Sequence, residues 1–217
     1  MRHRWSFLAA LLLGLLLSGC AEKPQESLRV SAVLWPGYEP LYLAGKLGYY
    51  DDAPVQIIDY LSNTDAMLAF RNHNLEAGAF TFDEVLQLLA DGMEIDVILV
   101  MDISDGGDVI LANPELTSMA DLKGKRVAVE SSAVGGFVLA RALELHGLSL
   151  DHVPVVSTNA MEQQEAFASG RVDAAVSFDP YRTQLLKIGK REIFNSREIP
   201  NEIVDVLVVR RDYSRQH

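Results

Sequence analysis

The chain has 217 residues, 49% of them hydrophobic and 23% charged, with 30 acidic against 19 basic side chains and a formal net charge of −11. That balance excludes nucleic acid as a partner and leaves no polybasic patch for anionic lipid. Cys20 is the single cysteine, so no intramolecular disulfide, cysteine nucleophile or thiolate metal site is available to the folded body, and neither a metal nor a cofactor is expected.

Residues 1–19 read as a secretory signal: Arg2 and Arg4 precede an apolar run from Phe7 to Leu17, which is too short to span a bilayer and ends in small residues. The stretch Leu17-Ser18-Gly19-Cys20 resembles the bacterial lipobox, in which the cysteine is acylated, for instance with palmitate, and becomes the first residue after cleavage. Membrane attachment is therefore expected through a lipid on Cys20, with polar residues 20–27 as a tether. Loss of Arg2 and Arg4 makes the mature chain more acidic still. About 190 residues remain, enough for one large domain or two small lobes.

From Leu28 onward, short apolar runs of strand length alternate with longer segments of helical spacing, the pattern of an α/β protein. The strands are expected at Leu28 to Leu34, Val55 to Tyr60, Val97 to Met101, Asp108 to Leu111, Arg126 to Glu130, Val153 to Ser157 and Val204 to Val209. Helices are expected at Pro40 to Leu47, Thr64 to Asn72, Phe82 to Asp91, Gly135 to His146, Met161 to Ser169 and Pro180 to Ile188. Pro40 and Pro180 suit first helical turns, and Gly48, Gly147 and Gly170 sit where helices end.

A weak internal repeat joins Ala69-Phe70…Phe82-Asp83 to Ala166-Phe167…Phe178-Asp179, with one residue fewer in the second copy. Each copy runs from a helix end through a polar turn and an aliphatic-acidic step (Leu75-Glu76; Val172-Asp173) to small residues and a Phe-Asp step. Two related lobes are expected: residues 28–102 form the first, 103–203 the second, and 204–217 return a strand to the first. Ligands of open α/β sheets sit beyond the carboxyl ends of the strands, so Asp83 and Asp179 are both expected at one cleft.

Four loops after strands carry groups suited to a small polar ligand. Trp35-Pro36-Gly37-Tyr38-Glu39-Pro40 offers two flat faces, a glycine for close backbone approach and a helix start. Thr81-Phe82-Asp83 reads equally as an N-cap and as a ligand contact. Asp102 to Asp108 is rich in carboxylates and glycine, lacks the closing Glu of an EF-hand loop, and reads as a crossing between lobes that aims Asp105 and Asp108 at the cleft. Glu130-Ser131-Ser132-Ala133-Val134-Gly135-Gly136 leads into a helix whose free amides suit ligand oxygens, with an ordinary Ser cap as the other reading.

Together, the phrases WPGYEPLYLAGKLGY (35–49), SMADLKGKRVAV (118–129), the Val134 to Leu148 helix, AFASGRVDAAVSFDP (166–180) and IVDVLVVRRD (203–212) resemble the substrate-binding proteins of nitrate/sulfonate/taurine-type ABC importers, a group that includes pyrimidine-precursor binders. The resemblance implies a type II periplasmic binding fold, two lobes joined by two crossing strands, and a lipoprotein on the periplasmic side of the cell envelope. It also implies ABC permease and ATPase partners. The contacts it implies fall on Trp35 to Tyr38, the loop after Phe80, Asp105 to Asp108, Ser131, Ser132 and Asp179. Members of the group continue past the second crossing with helices that complete the first lobe. Here the chain stops at His217, so a truncated C-terminal part with an uncovered apolar face is expected.

Two other readings compete with transport: a lipoprotein that senses its ligand without transport, and an enzyme like the pyrimidine-precursor synthases of the same fold. The five histidines (His3, His73, His146, His152, His217) all lie away from the four loops, which argues against the enzyme. Carboxylates at Glu39, Asp83, Asp105, Asp108 and Asp179 around Trp35 and Tyr38 favour an amino-bearing or heterocyclic ligand over a dianion.

Overall fold

The computed structural model describes residues 27–217; the expected signal, Cys20 and most of the tether lie outside the described residues. Among the described residues, ten strands form two five-stranded sheets. The first sheet has the order β2-β1-β3-β10-β4, from β1 (Leu28–Val33), β2 (Val55–Tyr60), β3 (Ala77–Thr81), β4 (Ile95–Ile103) and β10 (Val204–Arg210). The second has the order β7-β6-β8-β5-β9, from β5 (Asp108–Ala112), β6 (Val127–Val129), β7 (Val155–Ser157), β8 (Ala174–Phe178) and β9 (Arg191–Asn195). Helices α1 (Glu39–Lys46), α2 (Asn63–Arg71) and α3 (Phe82–Ala90) accompany the first sheet, with the short α7 (Arg211–Ser214) after β10. Helices α4 (Val134–Leu145), α5 (Gln163–Ala168) and α6 (Tyr181–Lys187) accompany the second.

The expected helices all form, within one residue at each end except at Met161, where a 3₁₀ turn over Ala160–Glu162 precedes α5. Gly48 and Gly170 take φ of 81° and 67° at helix ends, a conformation that costs glycine little. Three strands are additions to the expected set. β3 and β8 are the central strands of their sheets, and they are built largely from Ala, Gly, Ser and Thr, with Phe80 in β3 and Val176 and Phe178 in β8 as the larger residues. Small residues are depleted in strands as a class, but burial on both faces favours them here. β9 is an edge strand in which only Ile193 and Phe194 are apolar.

Both sheets repeat one plan. β1 lies parallel to β2 and β3, and β6 lies parallel to β7 and β8; β10 and β5 then run antiparallel to the central strand. The same ion pair locks each copy. Arg29 donates from Nε and its backbone N to Glu76 Oε2, both at 2.9 Å, and Arg126 does the same to Asp173 Oδ2 at 3.0 and 2.9 Å, each pair being 47 residues apart. The internal repeat is thus structural. Its Phe-Asp end slips by one residue: Thr81, not Phe82, matches Phe178, and these pair with Asp205 and Asp108 at the starts of β10 and β5.

Each sheet carries buried side chains on both faces. In the second, Val138, Leu139, Ala142 and Leu143 of α4 pack on Ile110, Val127 and Val176, while Phe167 and Leu185 pack against Val109 and Leu111 on the other side. In the first, α2 and α3 cover one face through Met67, Phe70, Val85 and Leu88. β4, an edge strand, leaves Val97, Ile98, Leu99 and Val100 about half exposed in succession, whereas β10, the strand expected to carry an uncovered face, is mostly buried between β3 and β4.

The chain crosses between sheets at 104–107 and at 196–203, and two serines join the crossings. Ser104 Oγ and Ser196 Oγ lie 2.9 Å apart, Gly106 N donates to Ser196 Oγ at 2.7 Å, and Ser104 N donates to the Ile203 carbonyl at 3.0 Å. Ser196 is fully buried, so Ser196→Ala leaves an amide without an acceptor. A stability loss of about 1–3 kcal/mol is expected in urea unfolding. An unchanged midpoint would show that this hydroxyl does not join the crossings.

Candidate functional site

The carboxyl ends of β1, β2, β3, β6 and β8 face one another across a cleft, joined by the amino ends of β5 and β10. Two inner chambers of about 20 Å3 each open beside an outer groove of about 640 Å3. Each inner chamber has room for one water-sized group, whereas the groove accepts a small molecule. Trp35, Tyr38, Thr81 and Asp108, all expected ligand contacts, line the first chamber with Asn63, Phe178 and Asp205.

The chamber is acidic and aromatic. Trp35 Nε1 donates to Asp102 Oδ2 at 3.0 Å, and the Tyr38 hydroxyl donates to Asp205 Oδ1 at 2.6 Å. Trp35 meets Phe178 of the second lobe edge to face at 5.8 Å, and Phe178 meets Tyr181 in the same way at 5.6 Å. Gly37 is required by close approach: a Cβ there would lie 1.3 Å from Asp102 Oδ2.

Burial dominates the titration of the chamber. It pushes the Asp205 carboxyl up to about 9, helped by contact with the neighbouring Asp102 and by the charge of Asp108, and opposed by the Tyr38 hydrogen bond. Burial likewise raises Asp108 to about 6, with the charges of Asp102 and Asp83 adding to it and the Ser104 hydroxyl opposing it. The Tyr38 hydroxyl is raised well above its ordinary value by burial and by the Asp205 charge. Asn63 Oδ1 is a buried acceptor with no donor partner among the described residues, while the proton held by Asp205 joins its carboxyl to that of Asp102. Among those residues no basic side chain lines either inner chamber, and in the outer groove Lys46 is the single cation, beside Glu39, Asp59 and Glu130.

The other expected contacts are placed differently. Glu39 lies on the outer groove. Gly37 serves the Trp35–Asp102 contact from behind. Asp83, half-buried at the start of α3, has a carboxyl raised by burial and sits beside the chamber without lining it. Ser132 Oγ lies 2.7 Å from Thr64 Oγ1 across the cleft, and Ser131 is exposed next to it. Asp105 is exposed and pairs with Arg197 at 3.0 Å, joining the two crossings. Asp179 lines none of the three spaces: its carboxylate accepts from Thr183 N at 3.2 Å, from the Thr183 hydroxyl, and from Arg182 at 3.4 Å. Two residues before α6, Asp179 thus serves a free amide of that helix's first turn, the work of a cap.

Asp205 and Asn63 are not evident as site residues from the sequence, although Asp205 leaves a signal: it is the one charge inside the apolar run Ile203 to Val209, where a strand buried on both faces has no use for a carboxylate.

These features agree with three likenesses. A protein of Brucella abortus (strain 2308) named for binding is 40% identical over 68 residues, 31% of this chain and 21% of its own length. A protein of Escherichia coli K12 whose name states aliphatic sulfonates binding is 22% identical over 170 residues, 77% of this chain and 53% of its own length. The chain thus spans about half or less of these relatives. The solved alkanesulfonate-binding protein SsuA of Xanthomonas axonopodis pv. citri, bound to MOPS, superposes with a TM-score of 0.78 at 21% identity, over 90% of this chain and 69% of the other. That likeness shows the fold, the two-lobed type II periplasmic binding architecture with two crossings. The family model described as "NMT1/THI5 like" matches residues 35–217, and the chain belongs to that family.

Proposed function

We propose that this chain is the solute-binding lipoprotein of an ABC importer, held on the periplasmic side of the cell envelope by a lipid on Cys20. It closes its lobes over a small molecule with an ammonium, guanidinium or N–H-rich heterocyclic group. The observation that carries the ligand class is the inner chamber, where, among the described residues, the buried acceptor Asn63 lacks a donor and no basic side chain answers Asp108 and Asp205. A cationic nitrogen there would supply the missing donor and take the place of the protons that these carboxyls hold in the empty cleft, and charge-assisted hydrogen bonds are about twice as strong as neutral ones. Trp35, Tyr38 and Phe178 add faces and edges suited to a flat or cationic group. The body of the ligand would occupy the groove between Tyr42, Tyr60 and Tyr181.

The names of the relatives support a role in solute capture; ABC permease and ATPase subunits are the partners that the proposed role calls for. A binding role also suits a cleft whose described linings include no histidine or cysteine, the groups on which an enzyme of this fold would draw.

Native mass spectrometry of the full-length chain in mild detergent tests the ligand class. A bound species of basic character is expected, and a sulfonate or other dianion in its place would contradict the reading. The anchor has its own test: Cys20→Ala is expected to abolish fatty-acid labelling and to release the chain from the membrane fraction. A variant that keeps both would show that Cys20 is not the anchor.

A further inference from the structure

Two helices open on the cleft, and at each one free amide of the first turn is already met by a glutamate from the opposite lobe. Glu84 of α3, wholly buried, accepts from Thr81 N of its own helix start through Oε2 at 3.0 Å. Its other oxygen accepts from Val134 N, the first residue of α4 in the second lobe, at 3.1 Å. Glu130, at the end of β6, reaches the other way: its Oε1 accepts from Thr64 N at 2.8 Å and from Thr64 Oγ1 at 2.6 Å, in the first turn of α2.

A helix start carries roughly half a positive charge and free N–H donors, which makes it the ordinary seat of an oxyanion. At α2 (9 residues) and α4 (12 residues) a glutamate already takes one of these donors, Thr64 N and Val134 N respectively. What remains beside them is an acceptor: Asn63, the first residue of α2, is 8% exposed, lines both chambers and the groove, and its Oδ1 has no donor among the described residues.

We infer that Glu84 and Glu130 are specificity-determining residues, built-in acceptors that occupy an amide at each of the two helix starts facing the cleft and so exclude sulfonate and other oxyanion head groups. This rests on the cleft being the ligand site, as proposed above. It explains how a chain so similar in fold to an alkanesulfonate binder would select a nitrogen cation: the fold presents the helix starts, and two side chains reverse the sign of what the cleft accepts. A sulfonate entering the wild-type cleft would meet two carboxylates at the places where it needs donors.

The test is calorimetric titration of ethanesulfonate, and separately of a guanidinium probe, into the full-length chain in detergent. Wild type is compared with Glu84→Ala, Glu130→Ala and the corresponding Gln variants. Each alanine variant frees a first-turn amide at the cleft, and Glu130→Ala also removes a charge, so a gain in ethanesulfonate affinity of about tenfold or more is expected, equivalent to about 1.4 kcal/mol. The Gln variants keep an acceptor on the amide and should gain less. Glu130 is only partly buried, so Glu130→Ala carries the test if Glu84→Ala fails to fold. Folded Glu130→Ala with no gain, or wild type binding ethanesulfonate as tightly as the variants, would overturn the inference. A wild type that ignores the guanidinium probe while the alanine variants gain ethanesulfonate would sustain the inference and remove the cationic-ligand reading. Guanidinium binding by wild type with no gain in any variant would do the reverse.

Discussion

Asp205→Asn is expected to raise the melting temperature of the ligand-free chain at pH 8 while abolishing tight ligand binding. The carboxyl is 2% exposed at the start of the first sheet's return strand, and burial beside Asp102 pushes it up to about 9. In the unfolded chain the same group releases its proton near 3.9. Between those values the folded form holds a proton that the unfolded form has lost, so stability falls as pH rises through that window. Asparagine keeps an acceptor for the Tyr38 hydroxyl and has no charge to bury. The gain at pH 8 should be about 1–3 kcal/mol, the scale of an uncompensated buried polar group, or roughly 2–4 °C in Tm per kcal/mol for a chain of this size. The difference between variant and wild type should vanish below about pH 4, where both states of the wild type are protonated. A variant that melts below wild type at pH 8 would show that Asp205 is held for stability and not for a ligand. The opposite signs of the two effects are the point: a residue that weakens the empty fold and strengthens the complex is kept for binding.

Affinity for a cationic ligand is expected to climb with pH between about 5.5 and 9. A positive ligand needs Asp108 and Asp205 ionised, and in the ligand-free cleft they hold protons up to about 6 and about 9. Below about 6 binding should expel close to two protons, and between 6 and 9 close to one. Affinity then rises by as much as tenfold per pH unit for each proton released. A guanidinium probe keeps its own charge across the range, so the slope reports the protein. Calorimetry in two buffers of different ionisation enthalpy counts the protons directly. Affinity that falls as pH rises, or proton uptake on binding, would mean that the cleft prefers an anion or a neutral ligand.

Most of the fold was legible because its elements keep a clear period. Val55 to Tyr60 and Val204 to Val209 read as strands and are strands, and the helices end at the glycines that mark them. The strands that escaped, β3 and β8, are central in their sheets. Their small residues are chosen by packing on both faces, which no local pattern records. The site was legible where chemistry and loop position coincide: Trp35, Tyr38, Thr81 and Asp108 converge on one chamber. Aspartates of the same loop stations diverge because the segment after each strand differs. Asp108 opens β5 and is buried, Asp105 stays on the exposed crossing with Arg197, and Asp179 is turned to its own helix by Thr183 and Arg182. Sequence order fixes that these residues are near the cleft but not where the carboxylates point. Glu84 and Glu130 were hidden for the same reason, since each serves a helix of the other lobe.

The most direct test of the central claim is a crystal structure of the chain with the ligand that co-purifies with it. A nitrogen of that ligand is expected within hydrogen-bond distance of Asp108 and Asp205, beside Trp35 and Phe178, with Glu84 and Glu130 still on their helix starts. An acidic group of the ligand on the amides of Val134 or Thr64, with those glutamates displaced, would contradict it.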